Sequence, residues 1–141
     1  MKLIILLLLL TGCILPVELE PYETIQDVFD WVSDNIEYSL DNQEEWQSPK
    51  QTVELGTGDC EDFVILAMYL LNRDFGYLPD MIIGVSIATG NAHCWLSLND
   101  VWYEIQLSGM DVTEIYDATY TIELVYTYDQ VMVTTIFRGE E

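Results

Sequence analysis

The chain has 141 residues, with 25 Asp or Glu against 4 Lys or Arg, a formal net charge of −21, and half of its residues apolar or aromatic. That balance excludes a nucleic-acid binder and electrostatic attachment to anionic lipids, since both need clustered cations. The acids are dispersed among Trp, Tyr and Ile rather than gathered in a tail, so they read as a solvated surface over a packed core and not as a disordered polyanion.

Met1-Lys2 is a minimal basic start, followed by an unbroken apolar run from Leu3 to Leu10 and then Leu10-Thr11-Gly12-Cys13. The run falls short of the roughly 20 apolar residues that cross a bilayer. It fits the central region of a secretory signal peptide, and Leu-Thr-Gly-Cys reads as a lipobox with Cys13 the lipidated residue. An ordinary signal peptide or an uncleaved anchor containing a cysteine is the alternative. Residues 1–13 are thus expected to be a lipoprotein signal peptide, 14–21 a tether, and 22–141 a single domain, monomeric and touching the membrane only through its acyl chains. The expected location is the extracytoplasmic face of a bacterial cell envelope; Ile14 after the lipobox suits delivery to an outer membrane where one exists.

From Tyr22 to Ile36, apolar residues at Ile25, Val28, Phe29, Val32 and Ile36 recur at three- and four-residue steps and predict an amphipathic helix. Asp41 to Pro49 is polar and loop-like, with Trp46 inside it. Ser48 or Pro49 starts a short predicted helix containing Thr52 and Val53 and ending at Gly56 or Gly58. Asp59 to Arg73 is the strongest helix, with a buried stripe of Phe63, Leu66, Ala67, Leu70 and Leu71, and Gly76 and Pro79 break it. Strands follow over Met81–Ala88, Ala92–Leu98 and Val101–Leu107. The β-branched and aromatic stretches 119–128 and 131–137 predict a C-terminal hairpin around Asp129-Gln130. Helices first and strands afterwards give an α+β fold, an antiparallel sheet with helices packed on it.

Asn99-Asp100 between Leu98 and Val101 is a two-residue hairpin turn without the usual glycine. Counting back from it, Ser97 faces Trp102, Leu96 faces Tyr103, Trp95 faces Glu104, Cys94 faces Ile105 and His93 faces Gln106. One face is then apolar (Leu98, Leu96, Cys94, Val101, Tyr103, Ile105) and the other carries His93, Trp95, Ser97, Trp102, Glu104 and Gln106. Residues directly opposite in such a ladder have Cβ atoms about 5 Å apart. Gln106 is therefore the expected neighbour of His93, with Glu104 on the diagonal. A side-chain carbonyl there would accept Nδ1–H and leave Nε2 free to take a proton.

Cys60 in Gly58-Asp59-Cys60-Glu61-Asp62 stands where a turn becomes an apolar helix, and the positive end of a helix favours a thiolate. His93 is the chain's one histidine. If its ring reaches that sulfur, the pair can carry out acyl transfer. Asp59, Glu61 and Asp62 oppose this by raising the thiol pKa. A Cys60–Cys94 disulfide is the competing reading in an oxidising compartment. One histidine and no Cys-x-x-Cys leave zinc without a ligand set, so neither metal nor cofactor is expected.

Trp46-Gln47-Ser48-Pro49, Gly56-Thr57-Gly58-Asp59-Cys60-Glu61-Asp62-Phe63, Asn91-Ala92-His93-Cys94-Trp95 and Trp102-Tyr103-Glu104-Ile105-Gln106 together resemble the bacterial transglutaminase-like cysteine peptidases. The resemblance runs from about Ile25 to Leu107. It implies a papain-like fold in which a helix bearing the cysteine packs against a sheet bearing the histidine, and an activity at amide bonds of a peptide or protein. It implies Cys60 as nucleophile and His93 as base. The third position, usually Asp or Asn in the family, falls on Gln106, a neutral amide that can orient the ring without stabilising its charge; Glu104 is the fallback acid. Trp46 or Gln47 would supply an oxyanion donor beside the Cys60 amide, by analogy with related enzymes. Two functions follow as expectations: a thiol enzyme that hydrolyses, or less readily transfers, an acyl group, and a silent lipoprotein that binds a peptide in the same cleft.

Overall fold

Thr24, Ser48 and Asp59 each open a helix in the same way. Each side chain accepts a hydrogen bond from the backbone N–H three residues on, and the residue there (Asp27, Gln51, Asp62) bonds back to the cap's own N–H. These reciprocal boxes satisfy donors that a helix start otherwise leaves bare. They begin α1 (Ile25–Asn35), α2 (Pro49–Leu55) and α3 (Cys60–Phe75) in a computed structural model that describes residues 19–40 and 45–136. The predicted leader, the predicted lipidation at Cys13 and most of the predicted tether lie outside the described residues, as does the stretch after Ile136.

Five strands form an antiparallel sheet in the order β6-β5-β4-β3-β7: β3 (Asp80–Ser86), β4 (Ala92–Leu98), β5 (Val101–Glu104), β6 (Met110–Asp111) and β7 (Tyr120–Tyr126). A separate parallel pair, β1 (Glu37–Tyr38) with β2 (Thr57–Gly58), ties the end of α1 to the turn that precedes Cys60. The predicted hairpin turn forms with Asn99 and Asp100 both at positive φ, 51° and 63°, as a primed two-residue turn requires. Its register is Leu98↔Val101, Ser97↔Trp102 and Leu96↔Tyr103, as the alternation predicts.

The core lies between one face of this sheet and α3. The sheet contributes Met81, Cys94, Leu96 and Leu98; α1 adds Val28, Phe29 and Val32. Burial on α3 is wider than the predicted stripe, because Val64, Ile65 and Met68 are also fully covered. The helix is enclosed by α1, α2, the sheet and a C-terminal helix, so it is apolar nearly all round.

That C-terminal helix, α5 (Tyr128–Ile136), replaces the predicted second strand of a hairpin, and β7 pairs with β3 instead. Thr127 and Gln130 form a capping box (Thr127 N to Gln130 Oε1 2.9 Å, Gln130 N to Thr127 Oγ1 3.4 Å). Burial of Val131, Met132 and Thr135 on one helical face outweighs the β-propensity of the run. A further helix, α4 (Thr113–Thr119), fills a stretch where no element is predicted and lies against the other face of the sheet, over Trp95.

Candidate active site

Cys60 is the first residue of α3, directly after the Asp59 cap, and its thiol is half-buried. The helix it opens packs on β4, and the backbone of Cys94 there tempers the thiol. Cys60 and Cys94 are both free thiols, and Cys94 is buried on the core face. Burial pushes the Cys60 thiol well above the ordinary range, and the Glu61 and Asp59 carboxylates push it further. The thiol lies 3.0 Å from Glu61 Oε2, to which it donates. Only the Cys94 backbone works the other way.

The turn before the cysteine is set by sterics. A Cβ on Gly58 would lie 2.6 Å from Asp62 Cβ. Asp62 is 1 % exposed; Oδ2 accepts from the Asp59 N–H (3.1 Å) and Oδ1 from the Gln47 N–H (2.8 Å). It thus holds the Trp46-Gln47 segment against the helix start. Three carboxyls crowded there have a cost: burial first, then Asp62 and Glu61, raises Asp59 to about 7. Tyr38 belongs to this cluster too, its phenol raised by partial burial and by Cys60, Asp59 and Glu61.

His93 lies on the outer face of β4, opposite Gly84 of β3. Its Nε2 is 2.5 Å from Glu104 Oε2. Glu104 is the last residue of β5, 3 % exposed, and the same Oε2 accepts from Tyr116 Oη at 2.7 Å, while Oε1 accepts from the Gln106 N–H at 3.3 Å. Around the ring stand Trp95, Tyr116 and Tyr120, with centroids 6.0–6.3 Å away.

This corrects the predicted pairing of His93 with Gln106. The chain leaves the ladder after Glu104, enters a 3₁₀ turn over Ile105–Leu107, and reverses through Ser108 and Gly109, both at positive φ. Gly109 is obligatory there, since a Cβ would lie 2.1 Å from the Phe29 ring. Gln106 is carried away from His93; its carbonyl accepts from Ser33 Oγ at 3.2 Å. Glu104 reaches His93 from the diagonal position. The nitrogens are also exchanged relative to expectation: the partner holds Nε2 rather than Nδ1, while the Cys60 thiol is hydrogen-bonded to Glu61. A carboxylate partner, unlike an amide, stabilises the imidazolium charge.

Trp46 packs edge-on to Tyr126, with ring centroids 5.1 Å apart, as part of the packing around the core. Gln47 Oε1 accepts from Thr52 Oγ1 at 2.9 Å, which leaves Nε2 as the donor end of that amide. Tyr116, Tyr120 and Tyr38 were not singled out from the sequence. The four-residue step from Val112 to Tyr116 is a helical signal for Tyr116, whereas Tyr120 opens β7. Among the described residues no group of three or more His, Cys, Asp or Glu side chains is arranged to hold a metal ion.

Comparison with known proteins agrees with this fold. The chain matches the transglutaminase-like superfamily over residues 14–106. Among solved structures it is similar to Legionella pneumophila LapG (19 % identity, TM-score 0.56, covering 72 % of this chain and 66 % of that one). It is also similar to the calcium-bound form of LapG (20 %, 0.59, 72 % and 62 %) and to the EGTA-treated form (19 %, 0.56, 72 % and 64 %). The chain thus spans just under two thirds of the length of LapG. No curated protein matches. With well over half of its residues matched, the chain belongs to the transglutaminase-like superfamily.

Proposed function

We propose that this protein is a thiol hydrolase of the bacterial cell envelope, tethered through Cys13 and cleaving an amide bond of a peptide or protein. The reading is supported by Cys60 at the start of a capped helix and by a histidine whose Nε2 is held by a buried carboxylate, in a chain of the transglutaminase-like superfamily. Cys60 Sγ adds to the amide carbonyl as its proton passes to His93 Nδ1. The C–N bond then breaks, the leaving amine takes that proton from Nδ1, and an acyl-thioester remains on Cys60. Water, deprotonated by the same nitrogen, adds to the thioester and releases acid and thiol. The Glu104 carboxylate balances the imidazolium formed between these steps. The Cys60 N–H at the helix start, with Gln47 Nε2, is the donor set for the oxyanion.

A second reading is favoured by one observation: burial and Glu61 hold the thiol high, which suits a silent site that binds a peptide in the same cleft. An iodoacetamide probe on the purified protein, read by mass, separates the two. An active site is labelled at Cys60 at neutral pH faster than a free thiol, and slows on His93→Ala. Labelling no faster than free cysteine, and indifferent to His93, leaves the binding reading. The tether is tested by mass of the membrane-extracted protein, which carries acyl chains on Cys13 if the lipobox is used.

A further inference from the structure

Tyr116 comes from α4, the helix laid over the outer face of the sheet, and its hydroxyl ends on the oxygen of Glu104 that also holds His93. Its ring is wedged against Trp95 (centroids 5.0 Å) and Tyr120 (4.8 Å), so the hydroxyl has a fixed aim. With Glu104 3 % exposed, a carboxylate there would be costly without donors on both sides. We propose that Tyr116 is a positioning residue for the histidine: by donating to Glu104 Oε2 it fixes where that carboxylate points and limits how tightly it grips the imidazolium. This rests on the reading of Cys60 and His93 as a thiol–imidazole pair.

The consequence follows from one oxygen serving two donors. A carboxylate oxygen that accepts from a phenol gives less of its charge to the ring beside it. With the phenol removed, Glu104 holds the His93 proton more firmly, and the base becomes slower to give it to a leaving amine. The titratable groups around the ring are Glu104 from β5, Tyr116 from α4 and Tyr120 from β7.

The chain contains one histidine, so its imidazole signal in NMR reports His93 alone, without any assay of activity. In Tyr116→Phe the titration midpoint of that signal is expected to rise by roughly half a unit to one unit. Hydrolysis of a probe substrate is expected to lose about tenfold in kcat with KM unchanged. In a Glu104→Gln background, Tyr116→Phe should move the midpoint no further, because the residue acts through Glu104. A midpoint unmoved by Tyr116→Phe overturns the proposal, and so does an equal shift in both backgrounds. Melting temperatures measured alongside separate loss of fold from loss of aim. If wild-type Cys60 proves inert to the alkylating probe while the midpoint still moves as expected, the enzyme reading fails and the Tyr116–Glu104–His93 linkage stands.

Discussion

His93 Nε2 lies 2.5 Å from Glu104 Oε2, and the carboxylate comes from a residue diagonal to the histidine rather than opposite it. This makes two neighbouring carbonyl-bearing side chains unequal in a way that can be measured. Glu104→Gln keeps the shape and removes the charge, so activity should fall by about 10²-fold. Gln106→Ala should stay within about twofold, because it is the Gln106 backbone, not its side chain, that takes part in the hydrogen bonds found here. Steady-state kinetics on the two variants checks this; equal losses would restore Gln106 as the partner.

Glu61 is the group nearest the thiol proton, with Oε2 3.0 Å from Cys60 Sγ. It is second only to burial in raising the thiol. Glu61→Gln should therefore lower the thiol pKa without bringing it to the ordinary value. The expected result is a rise of about threefold to tenfold in the iodoacetamide rate at pH 7, since one unit of pKa is a factor of ten in thiolate. An unchanged rate would mean that burial alone controls the sulfur.

Asp59 gives the fold a dependence on pH of unusual sign for a carboxylate. Its folded pKa is raised to about 7 from the ordinary 3.8, by burial and by Asp62 and Glu61. The folded chain therefore binds this proton more tightly than the unfolded chain does. The stabilisation is complete below about pH 4 and is lost as pH climbs to about 7. Asp59→Asn keeps an acceptor for the Asp62 N–H, so the helix stays capped. Melting temperatures between pH 4 and pH 8 should fall less steeply in the variant than in the wild type.

The helices bearing the site were legible in the sequence because their signals are local. Ser48 with Gln51 and Asp59 with Asp62 are capping boxes, and the α3 stripe has helical period. The β4–β5 register was legible as far as a period-two alternation and a two-residue turn could carry it. It failed at residue 105, where Gly109 must yield to Phe29 of α1, a contact from a segment some eighty residues earlier. The same kind of non-local packing hid α5, whose residues favour strands until Val131 and Met132 meet the core. Thr127-x-x-Gln130 was nevertheless a readable start signal. Nothing local in Tyr116 announces that it will meet a carboxylate twelve residues away across a sheet.

Gly84 supplies the last test, because it links packing to the site without touching the reacting groups. It pairs with His93 across β3 and β4, at a bulge where β7 slips by one residue against β3. The space above it is filled by Trp95: an added Cβ would lie 2.5 Å from Cη2, 3.0 Å from Cζ3 and 3.2 Å from the Thr121 carbonyl. The Trp95 ring cannot simply swing aside, since Tyr116 and Tyr120 stand within 5.0 and 5.2 Å of it and it is fully buried. In Gly84→Ala the indole must push on the aromatic cluster that also holds Tyr116 against Glu104. A loss of about 1–3 kcal/mol in stability is expected, as for overpacked sites. Activity should fall more than stability at temperatures where the variant remains folded, because displacement of Tyr116 loosens the carboxylate behind His93. Trp fluorescence and the His93 imidazole signal, recorded on the same sample, should shift together; a change in fluorescence with an unaltered imidazole signal would show that the cluster packs independently of the site.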